Sequence, residues 1–181
     1  MISKRHAEIF IATLSTILFF TGVIYGFNNE LDLTSYLETL NTNNNLYLYH
    51  ILVIIFFFVA TLSIFGTLIN SIIIGIESIS IGYILSNFIQ NYKFKGFIYG
   101  IINILINKGL YIIVLIYLFI IGINYIKKIY LNLIGINKNY TCDLIIPLIK
   151  KYIVILIIIF IYDTIIYFFG NMFLNYLTFM L

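Results

Sequence analysis

Residues 48–89 read LYHILVIIFFFVATLSIFGTLINSIIIGIESISIGYILSNFI, and Glu77 is the one Asp, Glu, Lys or Arg among them. A straight helix of that length would reach about 60 Å at ~1.5 Å per residue, twice the ~30 Å hydrocarbon core of a bilayer. The stretch must therefore fold back on itself. Gly66 to Ser71 (Gly-Thr-Leu-Ile-Asn-Ser) offers the turn, which predicts two membrane spans, over 48–66 and 71–89. The same reading extends outward in both directions. Charge-free runs from Ile9 to Asn29, Gly109 to Ile126 and Thr164 to Leu181 flank the central pair. With 62% hydrophobic and 9% charged residues, against about 25% charged in soluble domains, the chain cannot cover a globular surface. Soluble enzymes and nucleic-acid readers are excluded on that ground, and the bilayer itself is the first partner.

The expected fold is all-α: a single polytopic bundle over 1–181 with spans near 9–26, 48–66, 71–89, 96–126 and 152–172. Lys4 and Arg5 precede the first span. The segment Thr21-Gly22-Val23-Ile24-Tyr25 lacks a small-x-small cleavage pattern, so the span reads as an uncleaved anchor. The fourth span, 96–126, would be about 45 Å long if straight. An interruption is expected at Asn107-Lys108-Gly109, where glycine weakens the helix. Five spans with a cytoplasmic N-terminus and an extracellular C-terminus put Lys4, Arg5, Lys127, Lys128, Lys138, Lys150 and Lys151 inside, seven of ten basic residues. Lys93 and Lys95 fall outside, and Lys108 falls within the membrane.

Polar residues inside the spans are the candidate sites. Each charged form costs about 2.5–3.5 kcal/mol at a helix centre, so Glu77, Lys108 and Asp163 should face protein and find partners. Depth along the spans favours Lys108 with Asp163, and Glu77 is the second choice. Along the third span Ser71, Gly75, Ser78, Gly82 and Ser86 recur every three or four residues, a small-residue face on which another helix backbone can close. Glu77 and Asn70 point away from that face. In the fourth, Gly96, Gly100, Asn103 and Asn107 share one face. His6 and His50 fall at opposite membrane borders and read as solvated. Cys142 is the single cysteine. No catalytic constellation, cofactor motif or metal-ligand spacing is present.

The extracellular 27–47 loop carries Glu30, Asp32 and Glu38 and no basic residue. Ser35 and Glu38 have capping-box spacing, with Leu33, Leu37 and Leu40 on one helical face. A helix lying on the outer leaflet and a docking helix for an extracellular partner both fit.

Phe20-Thr21-Gly22-Val23-Ile24-Tyr25-Gly26 resembles the glycine-spaced end of the first span in the stage II sporulation protein M family. Gly82-Tyr83-Ile84-Leu85 followed by Phe94-Lys95-Gly96-Phe97 resembles that family's central signature. Ile104-Leu105-Ile106-Asn107 falls where the family has a Leu-Pro motif, and Asp163 near the acidic residue of its last span. The family's prolines near these two places are absent here; the sole proline is Pro147. The resemblance implies a non-catalytic membrane scaffold, not an enzyme. It would hold peptidoglycan-degrading partners, similar to stage II sporulation proteins D and P, at the bacterial cell membrane during forespore engulfment. The competing expectation is a small transporter or permease subunit, motivated by the interrupted helix at Lys108 and the buried carboxyls.

Overall fold

The computed structural model describes residues 4–29, 45–63, 65–133 and 141–170, with side chains described over 9–29, 48–63, 65–132 and 144–169. Every regular element among them is helical: α1 (Lys4–Asn28), α2 (Asn45–Thr61), a long run Gly66–Leu133, and α5 (Thr141–Ile165), which ends in a π-helical turn, Ile166–Gly170. The long run is two helices meeting at Lys93, whose φ of 53° and ψ of −127° leave helical space. We number its halves α3 (66–92) and α4 (94–133). Three helical runs, Ile9–Asn28, Gly66–Asn132 and Leu144–Phe169, are long and apolar enough to cross a membrane, and Leu48–Thr61 is a shorter apolar helix.

Two reversals shape the bundle. Between the end of α2 at Thr61 and the start of α3 at Gly66 the chain reverses, with Ser63 N–H to Ala60 O at 2.9 Å and Gly66 N–H to Ser63 O at 3.0 Å. The turn expected over Gly66 to Ser71 is thus displaced toward the N-terminus, and these residues already belong to α3. Gly66 is required for a different reason: any Cβ there would collide with the Ala60 carbonyl. The second reversal, at Lys93, lays α4 antiparallel on α3. Asn91 Nδ2 donates to Asn87 O at 2.9 Å at the end of α3, and Gly96 lets α4 start against the Phe88 carbonyl, where a side chain would clash.

Helix α4 continues through Asn107-Lys108-Gly109 without a break; Lys93 is the one non-helical position in the run. The expected interruption is therefore absent. One glycine costs a helix only about 1 kcal/mol relative to alanine, too little to break a packed one. The spot is instead marked by an extra donor: the Tyr162 hydroxyl reaches Ile106 O at 2.6 Å and Leu105 O at 3.3 Å.

Helices α1 and α3 run parallel, because Leu18, Gly22 and Gly26 meet Gly75, Ile79 and Ser86 in that order. Gly75, Gly82 and Ser86 of the small-residue face lie on α1, while Ser71 and Ser78 are half-buried and bond back to Leu68 O and Ile74 O. Gly22 rests on the Ile79 carbonyl and Gly82 on the Phe19 carbonyl, so close that a methyl group at either would clash with backbone. Such approach supplies the dispersion and Cα–H···O contacts that hold helices together in lipid. The opposite side of α3 faces α2 and α4. There the apolar core gathers Ile54 and Phe57 of α2, Leu115 and Leu118 of α4, and Ile155 and Ile159 of α5. On α4 the buried face begins with Gly96, Gly100, Asn103 and Asn107 and runs on through Tyr111, Leu115, Leu118, Gly122 and Tyr125. Steps of three and four residues keep that face toward the bundle axis.

Candidate functional site: a buried polar cluster between α2 and α5

Seven side chains from four helices meet in the core. Lys108 of α4 donates from Nζ to Glu77 Oε2 of α3 at 2.8 Å and to Ser80 Oγ at 2.9 Å. Glu77 Oε1 accepts from the Tyr49 hydroxyl of α2 and lies 3.4 Å from the Tyr111 hydroxyl of α4. His50, next to Tyr49, places Nδ1 2.9 and 3.1 Å from the two carboxylate oxygens of Asp163 on α5. The His50 ring also stacks on Tyr111, centroids 4.0 Å apart and planes 21° from parallel. Tyr111 thereby joins the two ion-pairing units, one through its ring and one through its hydroxyl.

Each helix supplies its group for a local reason. The α3–α4 hairpin brings Glu77 and Lys108 level, since they lie almost equally far along the chain from Lys93. Helices α2 and α5 run antiparallel, which sets His50 near the start of α2 opposite Asp163 near the end of α5. Burial is nearly complete: His50 is 0%, Glu77 2% and Asp163 2% exposed. Unpaired charge would be costly at such depth, and every formal charge in the cluster has a counter-group or hydrogen-bond donor.

Two expectations are corrected here. Lys108 pairs with Glu77 and not with Asp163. Glu77 lies deeper than a span starting at 71 would place it, because α3 begins at Gly66 and carries it about 16 Å from the helix start. His50 is not a solvated border residue, and it holds the carboxylate that Lys108 was expected to hold. The signal that could have found His50 is its spacing from Thr61, on the same face of α2. Thr61 Oγ1 lies 3.0 Å from the Tyr152 hydroxyl and accepts from Asn70 Nδ2 at 3.0 Å, a second buried polar group on the α2–α5 seam. Asn103 and Asn107 are buried on α4, with Asn107 Nδ2 3.3 Å from Asn103 Oδ1. Leu33, Leu37 and Leu40 lie outside the described residues, as does the side chain of His6.

Chemically the cluster is two buried ion-pairing units joined by the ring and hydroxyl of Tyr111. Asp163 fixes the imidazole with its Nδ1 N–H toward the carboxylate, and His50 Nε2 has no hydrogen-bond partner among the described residues. Among the described residues no three His, Cys, Asp or Glu gather to hold a metal ion. Set against protein-family profiles, curated proteins and solved structures, the chain matches none.

Proposed function

We propose that the chain is a five-span scaffold of the bacterial cell membrane, N-terminus inside and C-terminus outside. Its core does no chemistry, and its extracellular 27–47 loop captures peptidoglycan-remodelling partners, as the resemblance to stage II sporulation protein M implies. The observation that carries the reading is the closure of the ionisable core on itself. Lys108 is spent on Glu77 and Asp163 on His50, and α4 passes Lys108 unbroken, so the discontinuous helix that motivated a transporter is missing. Helix directions favour five crossings: α1 and α3 are parallel, while α2 and α5, α3 and α4, and α4 and α5 are antiparallel. Helix α2, with 17 residues, covers about 26 Å, close to one hydrocarbon thickness.

Capture tests this directly. With Leu33, Leu37 and Leu40 all changed to serine, the chain should insert normally and lose crosslinking to a cell-wall hydrolase in intact cells. Glu77→Gln and Asp163→Asn should lower the amount of folded protein and leave capture by the remainder unchanged. Normal capture by the leucine variant would refute the scaffold.

A second reading, a proton-coupled transporter, has one observation in its favour: His50 Nε2 stands unpartnered beside Asp163 in the core. It requires that Asp163→Asn accumulate normally and abolish proton flux into liposomes carrying the purified chain.

A further inference from the structure

Where α4 and α5 lie together at their lysine-bearing ends, a pocket of about 110 Å³ opens between them. Its walls include Asn124, Tyr125 and Lys128 from α4 and Pro147, Leu148 and Lys151 from α5. The volume holds roughly four water-sized groups, at ~30 Å³ each, enough for a phosphate. Two cations stand on facing helices, and Leu148 and Tyr125, 3% and 6% exposed, form an apolar floor below them. The pocket thus combines two positive charges, the Asn124 amide and an apolar base at the lysine-bearing ends of two apolar helices.

We propose that this pocket binds the headgroup of an anionic phospholipid, its phosphate between Lys128 and Lys151 and the start of its acyl chains on Leu148 and Tyr125. Basic pockets between helix ends at a membrane face take anionic headgroups in this way. Aliphatic lysine stems suit the position, because they lie along apolar surface while the ammonium groups reach the polar layer. A bound lipid would bridge α4 and α5 where the polypeptide connection between them is longest in this half of the bundle. The inference rests on insertion in a bilayer and not on the scaffold reading, so it survives if capture fails.

The neighbouring lysines supply the control. Lys127 and Lys150 carry the same charge at the same level and do not line the pocket. The full chain, purified in a mild detergent, is titrated with phosphatidylglycerol, with phosphatidylcholine and with inorganic phosphate, and bound lipid is counted by native mass spectrometry. Phosphatidylglycerol should be retained in preference to phosphatidylcholine. Lys128→Gln and Lys151→Gln should each weaken it about fivefold, and Lys127→Gln and Lys150→Gln less than twofold. All four variants change surface side chains, and circular dichroism checks that each stays helical. Equal losses across the four would reduce the effect to general surface charge and overturn the site. Retention of phosphatidylcholine as strong as that of phosphatidylglycerol would overturn it too. So would competition by millimolar phosphate, which would make the ligand a free anion and not a lipid.

Discussion

Lys108→Met tests the heart of the bundle. The substitution keeps a long flexible side chain and removes the cation, so packing changes little and Glu77 is left 2% exposed with only phenolic donors. Removing one partner of a buried ion pair costs about 3–5 kcal/mol. The two remaining tyrosine hydroxyls put the expected loss at the lower end, about 3 kcal/mol. For a chain of 150–250 residues each kcal/mol moves the melting temperature by about 2–4 °C, so the variant should melt about 10 °C lower. Glu77→Gln alone strands Lys108, which is 14% exposed and long enough to reach a polar layer, so its cost should be smaller, about 2 kcal/mol. Combining the two leaves no charge at the site. The double variant should then recover to within about 1 kcal/mol of the parent, because a buried pair replaced as a whole is nearly neutral.

The coupling between the two changes is thus expected at about 4–5 kcal/mol, far above the ~0.5 kcal/mol of independent sites. The assay is thermal unfolding in detergent micelles followed by far-ultraviolet circular dichroism, for the four members of the cycle. A parallel cycle with Lys108→Met and Asp163→Asn should be nearly additive, since Asp163 belongs to His50. If Lys108 couples to Asp163 and not to Glu77, the ion pairing described here is wrong.

The other predictions concern the backbone and the topology. Lys93→Gly should raise stability by about 1 kcal/mol, because a side chain at positive φ is strained and glycine is not; a lower melting temperature would show that the lysine is held by something other than the turn. Gly22→Leu should detach α1, so that a chain split after residue 40 no longer co-purifies as two pieces, whereas the parent pieces do. In a Cys142→Ser background, Thr42→Cys should react with an impermeant thiol reagent in intact cells and Asn139→Cys only after permeabilisation; the reverse pattern would invert the proposed orientation.

The all-helical class and the α3 packing face were legible because they depend on local composition. Runs of apolar residues, lysines at their ends and glycines every three or four positions are all visible in a single strand of text. Partner choice was harder to read. In a soluble protein the apolar side of a helix marks the inside, but on α2 the outward Leu52, Phe56 and Val59 are as apolar as the inward Ile54 and Phe57. Hydrophobic periodicity then carries no direction, and the pairing of Lys108 had to be judged from depth. Depth in turn hung on helix starts, and placing the α2–α3 turn a few residues late made Glu77 look too shallow. The hairpin held the better measure: Glu77 lies 16 residues before Lys93 and Lys108 lies 15 after it. Antiparallel helices bring such positions level whatever the bilayer does.

The same arithmetic explains why His50 is buried. Eleven positions separate His50 from Thr61, and eleven separate Tyr152 from Asp163. Eleven residues make just over three turns at ~3.6 per turn, so each pair shares one helix face with about 16 Å between its members. Two antiparallel helices carrying polar groups at one common interval can close both contacts at once, and α2 and α5 do: His50 with Asp163 at one level, Thr61 with Tyr152 at the other. A slide of one helix by a single turn would break both and separate His50 from Asp163 and the Tyr152 hydroxyl from Thr61, a penalty of several kcal/mol in an apolar medium. Packing of Ile and Leu alone would resist such a slide weakly, since one aliphatic side chain resembles the next. The polar groups therefore fix the register of α2 on α5, while glycine contact fixes α1 on α3, and α4 is held to both halves through Lys108 and Tyr111.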